Sequence, residues 1–325
     1  MTQITRRAAL LLSAACMALS STVLMAQTYP SKPIEWVVPY PAGGGTDVVA
    51  RTLAEAMSQS LAQPIIVNNK PGAATNIGAD YTARAKPDGY TLLSADTATL
   101  AANPFLYTKL SYDAQKDLAP VGLSARFPLI LVVNPKVPAG NWEEFLAWAK
   151  TQDGANFASP GAGSPHHLAT ELLRLQAGLT LTHVPYRGAA PAVQDVVGGQ
   201  VPFMFVDTAI GQQFINTGRL KPIGVASAQR VKNFESIATL QEQGLDGFEA
   251  YAWQGVAVPA KTPQAIVDQL NTALVDTLNS PEVQEKLISM GLELTPSTAA
   301  QMLEYSQAER AKWGEVIQRV GIKLD

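Results

Sequence analysis

Twice in this chain a short apolar run ends in a cluster of glycines and is followed by apolar residues at helical spacing. The first instance is Ile34 to Pro39, then Gly43-Gly44-Gly45-Thr46-Asp47, then Val49, Leu53, Ala56, Met57 and Leu61. The second is Asn156 to Ser159, then Pro160-Gly161-Ala162-Gly163-Ser164-Pro165, then Leu168, Leu172 and Leu175. Strand, glycine turn and helix in that order form the repeating unit of α/β folds. Glycine lets the backbone expose its N–H groups, and the helix start adds unpaired donors and partial positive charge, so each turn suits an anion. Neither turn contains Lys or Arg. A phosphate site commonly adds a fixed cation and a carboxylate manages without one, so a carboxylate fits better. For one turn alone the competing reading is structural, with Thr46 or Ser164 capping the helix. Two such turns in opposite halves of the chain favour a shared cleft site.

The same alternation continues between and beyond the turns. Strands are expected at Ile65 to Val67, Tyr90 to Ala95, Leu129 to Val133, Leu181 to Val184, Val201 to Val206 and Trp253 to Pro259. Helices are expected around Ala79 to Ala85, over Trp142 to Lys150, through Ile266, Leu270, Leu274 and Leu278, from Pro281, and over Thr298 to Gln318. The pattern predicts helices packed on mostly parallel strands. With 325 residues, 47% of them hydrophobic, the chain has material for two domains. Prolines follow Leu129 to Val133 and end Trp253 to Pro259, which places the crossings near Phe127 and Trp253. The division expected is residues 27–126 plus 254–325 as lobe 1 and residues 127–253 as lobe 2.

Arg6 and Arg7 precede an apolar run from Ala8 to Met25, the pattern of a signal peptide over residues 1–26 with cleavage after Ala26. Its serines and its marginal length argue against a membrane anchor. Cys16, the only cysteine, falls inside it, so the mature chain has neither a disulfide nor a cysteine-ligated metal. Losing the two arginines takes the net charge from −3 to −5, which disfavours nucleic acid as a partner. No later apolar run is long enough to span a bilayer.

The remaining candidates are polar residues near strand ends. The first turn lacks the Lys-Ser/Thr of a P-loop, and neither turn gives G-x-G-x-x-G, so no nucleotide cofactor is expected. Asp47 and Arg51 have the spacing of an exposed helix pair, with Asp47 also suited to the positive helix start. His166 and His167 open a helix just after the second glycine turn, where one reaches the cleft or both face solvent, and His183 reads as packed in a strand. No metal-ligand cluster and no G-x-S-x-G nucleophile motif is present. Tyr186-Arg187-Gly188-Ala189-Ala190-Pro191 is a further strand-to-helix turn, in which Arg187 is read as projecting into solvent. Asp207 follows a strand, where it either contacts a ligand or caps the next helix.

Taken in order, several segments resemble the Bug family, the extracytoplasmic solute receptors of tripartite tricarboxylate transporters. They are Trp36 to Asp47, Lys86 to Leu93, Gly161 to Ser164, His183 to Gly188 and Gly198 to Val201. The resemblance implies a two-lobed α/β clamp, the type II periplasmic binding-protein or Venus flytrap fold. It implies a small carboxylate ligand, an amino acid, a di- or tricarboxylate or an aromatic acid, held by loop backbone with no cofactor. On that likeness the ligand shell comprises Tyr40, Ala42, Gly43, Gly44 and Thr46 in the first loop and Ser159, Gly161, Gly163 and Ser164 in the second. Ala95, Thr97, His167, Gly188 and Asp207 complete it. The implied location is the periplasm and the implied partner a membrane permease, with a sensor kinase as the alternative. A secreted enzyme using His167 and Asp207 as acid and base is the rival reading from another class.

Overall fold

The structure, a computed structural model, describes residues 29–325; the expected leader lies outside them. Strand β1, Ile34–Val38, turns Ile34, Trp36 and Val38 to one face and Val37 to the other, and all four are at most 1% exposed. Both faces of this strand are covered. Helix α1 follows at Gly45–Ser60, then β2 at Ile65–Asn69, α2 at Asn76–Ala83 and β3 at Thr91–Asp96. A π-helical segment, Thr97–Ala102, leads toward the long strand β4, Leu118–Val133. Beyond β4 come α3 (Trp142–Thr151), β5 (Ala155–Ser159), α4 (Pro165–Ala177), β6 (Leu181–Pro185) and α5 (Ala189–Gly198). Strand β7 (Phe203–Asp207), α6 (Thr208–Asn216) and β8 (Lys221–Val225) complete this part. The chain returns through β9 (Tyr251–Pro259), α7 (Gln264–Leu278), α8 (Pro281–Ser289), β10 (Glu293–Leu294) and α9 (Ala299–Val320).

The strands lie in the order β2-β1-β3-β9-β4-β7-β5-β6, with β8 and β10 also paired to β4. Leu118 to Pro128 of β4 pairs with β9; Leu129 to Val133 then pairs with β7 and β8. One strand therefore joins the two halves of the sheet. Two sequence expectations are corrected here. The strands are not mostly parallel: four ladders are parallel and five antiparallel, and every antiparallel one involves β4 or β9. Parallel βαβ units build each half, and the strands that enter and leave between halves run against them. The strand expected from Leu129 begins at Leu118. Pro120 and Gly122 hide its start, and its register shifts beside both. A Cβ on Gly122 would lie 2.8 Å from the Ser297 carbonyl oxygen, so no larger residue fits there.

One apolar cluster runs through both halves, from Val37 and Leu93 to Phe157, Phe203 and Trp253, and takes in Trp313 and Ile317 of α9. The other face of the first half packs α1 and α7 on β1, and a third cluster packs α5 and α6 on β7. Buried Glu309 of α9 accepts hydrogen bonds from Nε1 of Trp253 at 3.0 Å and of Trp313 at 2.8 Å. Its charge is matched by Lys312, so the buried carboxylate is both paired and hydrogen-bonded. Helix α9 is thereby fixed across β9.

Candidate functional site

Register alone brings the candidate loops together. Asp96 at the end of β3 pairs with Gln254, Trp253 pairs with Arg126, and Leu129, three residues on, pairs with Asp207 at the end of β7. Strand β1 is parallel to β3, and β5 is parallel to β7. The C-terminal ends of parallel strands from both halves therefore point at the same stretch of β4, Arg126 to Leu129. Helices α1, α4, α5 and α6 each follow such an end, so their N-terminal first turns and positive dipole ends gather at this waist. A small anion is what such a place accommodates.

The first loop, Tyr40 to Thr46, is anchored at both ends. The Tyr40 hydroxyl donates to the buried Asp96 carboxylate, and the Tyr40 carbonyl accepts from Asn69 Nδ2 at 3.0 Å. Burial pushes Asp96 above the usual carboxylate range, against the hydrogen bonds from Tyr40 and Thr99. Asp47 is 3% exposed, which corrects the expectation of an exposed pair with Arg51. It accepts from Gly43 N–H at 2.8 Å, Arg51 Nε at 3.0 Å and Asn69 Nδ2 at 2.8 Å. Burial works against ionisation, but these donors outweigh it and hold Asp47 below the usual carboxylate range. Gly44, not Thr46, is the N-cap of α1, and no side chain closes that end. Ala42, Gly43 and Gly44 are exposed. A Cβ on Gly45 would stand 2.9 Å from Phe127, which places this helix start against the strand crossing.

The second loop, Ser159 to Ser164, is held by histidines. Ser159 Oγ lies 2.6 Å from His183 Nε2 and donates to the Gly161 carbonyl at 3.0 Å. Gly163 N–H donates to His167 Nδ1 at 2.9 Å, and Ser164 caps α4 by accepting from His167 N–H at 3.3 Å. The His167 and His183 rings stack with centroids 3.7 Å apart and planes 10° apart. His167 is therefore an acceptor at Nδ1, with its other nitrogen 3.6 Å from Glu171. His166 and His167 are 8% and 3% exposed, which overturns the solvent-facing reading of that pair. Tyr186 N–H and Gly188 N–H donate to the carbonyls of Ser159 and Pro160, tying the third glycine turn to this loop.

Other candidates take different places. Ala95 is fully buried in β3, and Thr97 Oγ1 accepts from Trp253 N–H at 3.1 Å, so both lie beneath the waist. Asp207 caps α6 through Ile210 N–H at 3.0 Å and faces His166, not His167. Arg187 is exposed. The sequence reading did not single out Gln254 or Arg126, which bring buried atoms without partners, Oε1 and Nε, to the same crossing. Only the register of β4 against β9 reveals them. Among the described residues no cluster of three or more His, Cys, Asp or Glu could hold a metal ion. A cavity of about 890 Å³ lies elsewhere, between α2 and the outer part of β1. Its charges are matched locally, as in Arg84–Asp80 and Lys32–Asp88, so the waist is the better site.

The chain is similar to known proteins over most of its length. A family model described as tripartite tricarboxylate transporter family receptor matches residues 49–322. Protein BugT of Bordetella pertussis is 36% identical over 301 residues, 92% of each chain. A Rhodopseudomonas palustris protein solved with adipate superposes with a TM-score of 0.84 at 31% identity, over 91% of this chain and all of that one. MatC from Rhodopseudomonas palustris, with bound malate, gives 0.80 at 31% identity, over 89% of this chain and all of that one.

Proposed function

The chain belongs to the tripartite tricarboxylate transporter receptor family, and from that premise we propose that it captures a small carboxylate in the periplasm and delivers it to a membrane permease. The family and its structural neighbours are solute-binding proteins, not enzymes. The pair named for the enzyme reading is also apart in its contacts, since His167 engages Gly163 and Asp207 faces His166. One observation carries the proposal: two cation-free glycine turns, from opposite halves of the sheet, open toward one crossing. Backbone donors at the starts of α1 and α4 would hold the carboxylate from two sides. Residues 27–126 plus 254–325 and residues 127–253 would then move as lobes about β4 and β9, closing on the ligand. The closed form is what the permease would read. Relatives solved with adipate and with malate support the ligand class and leave the molecule open.

The test is thermal. Protein stripped of carried-over ligand is melted against amino acids, aliphatic di- and tricarboxylates and aromatic acids. Ligand at about a thousandfold over its Kd adds about 4 kcal/mol, a rise of several degrees. A rise confined to one chemical group supports the proposal and names the group; no rise with any acid overturns it.

A further inference from the structure

Among the described residues His166 is the only side chain with two buried polar atoms lacking a hydrogen-bond partner, Nδ1 and Nε2. The residue is 8% exposed and stands second in α4, two positions after the serine that ends the second glycine loop. Its neighbour His167 spends Nδ1 on that loop and turns its ring onto His183. His166 does neither. Facing its ring is the Asp207 carboxylate, whose Oδ2 lies 3.5 Å from Nε2. Oδ1 of Asp207 already takes the Ile210 N–H.

A neutral imidazole carries one N–H and one bare lone pair. The carboxylate beside Nε2 draws the proton to that nitrogen, which leaves Nδ1 as an acceptor. Buried acceptors are normally satisfied, and this one lies where the starts of α4 and α6 meet. The negative charge of Asp207 disfavours a second carboxylate there and favours a donor.

We infer that His166, backed by Asp207, selects carboxylates bearing a hydroxyl or ammonium group close to the carboxyl, whose hydrogen Nδ1 accepts. The inference rests on the receptor reading and specifies its ligand class, with opening of the proposed clamp as the step that would let ligand reach the ring. A site that hydrogen-bonds a ligand hydroxyl rejects the analogue lacking it, because the buried partner is then left unpaired.

Calorimetry at pH 8 with three matched series provides the test: propionate, lactate, alanine; succinate, malate, aspartate; phenylacetate, mandelate, phenylglycine. In whichever series binds, a donor-bearing member is expected to bind at least tenfold tighter than its parent acid, and the hydroxyl and ammonium arms tell the two donors apart. His166→Phe should reduce the ratio to within about threefold. Asp207→Asn, which retains a helix-capping side chain, should lower it at least threefold and serves if the first variant does not fold. Equal affinity for parent and donor members, or an unchanged ratio in folded His166→Phe or Asp207→Asn protein, overturns the inference and leaves the receptor reading standing. Failure of every acid to bind, in these series and in the thermal panel, overturns both.

Discussion

His183 stacks on His167 at 3.7 Å and on Phe157 at 4.9 Å between ring centroids, and its Nε2 meets Ser159 Oγ. Burial first, and the neighbouring His167 second, lower its pKa to about 4. An unfolded histidine titrates near pH 6.5, so between about pH 6.5 and 4 the unfolded chain binds a proton that the folded chain refuses. The folded state loses stability over that window as pH falls, by about 2 kcal/mol once solvent reaching the ring is allowed for. Urea unfolding from pH 7.5 to 4.5 should show this loss, and His183→Phe, which preserves an aromatic stack, should remove that part of the slope. If the variant and the parent lose stability in parallel, His183 is not the group responsible. The raised pKa of buried Asp96 has the opposite sign, since protonation there favours the folded form, so the difference between the two proteins is the quantity to read.

At the scale of elements, the glycine turns are alike in sequence and unlike in constraint. Gly43 has φ +86°, and a Cβ there would meet nothing within 4 Å, so Gly43→Ala faces backbone strain alone, about 1 kcal/mol. Gly163 has φ +77°, and a Cβ there would lie 2.5 Å from Leu106 Cδ1 and 3.1 Å from Leu324 Cδ1. Gly163→Ala adds overpacking to the same strain and should cost about 2–4 kcal/mol. Chemical unfolding of the two variants checks this; equal losses would mean that the second loop yields freely. Nothing in the sequence distinguishes these glycines, because the leucines that crowd Gly163 come from remote segments. The same limit explains what else was hidden. Strands β1, β3 and β5, and the helices after β1 and β5, were readable from period and glycine punctuation. The first eleven residues of β4 and all of β8, Lys221–Val225, were not, since Pro120, Gly122, Pro222 and Gly224 interrupt the apolar pattern. The two glycine loops stood out in the sequence, whereas the division of labour between His166 and His167 is set by Asp207 and His183, which lie in other strands.

For the molecule as a whole, β4 joins the two halves of the sheet, and the C-terminal segment adds a further tie. Leu324 N–H donates to the Leu106 carbonyl at 2.9 Å, and Asp325 Oδ2 accepts from Thr108 N–H at 2.7 Å and from its hydroxyl at 2.5 Å. The Leu324 side chain meanwhile abuts Gly163 in the second loop. If the lobes close as proposed, this segment bridges lobe 1 backbone to a ligand loop of lobe 2, and its contacts favour the arrangement in which they form. Removing residues 322–325 deletes two half-buried apolar side chains and these hydrogen bonds, about 2–3 kcal/mol in total. Part of that loss is global and lowers the melting temperature. The part that belongs to the bridge instead shifts the equilibrium between open and closed forms, and about 1.4 kcal/mol of such shift weakens ligand binding tenfold. Calorimetry on the truncated protein, with whichever acid the thermal panel identifies, is expected to show a roughly five- to twentyfold weaker Kd carried mainly by faster release. A truncated protein that melts lower yet binds with unchanged affinity would make the segment a stabiliser of lobe 1 alone. It would also leave β4 and β9 as the elements about which closure is balanced.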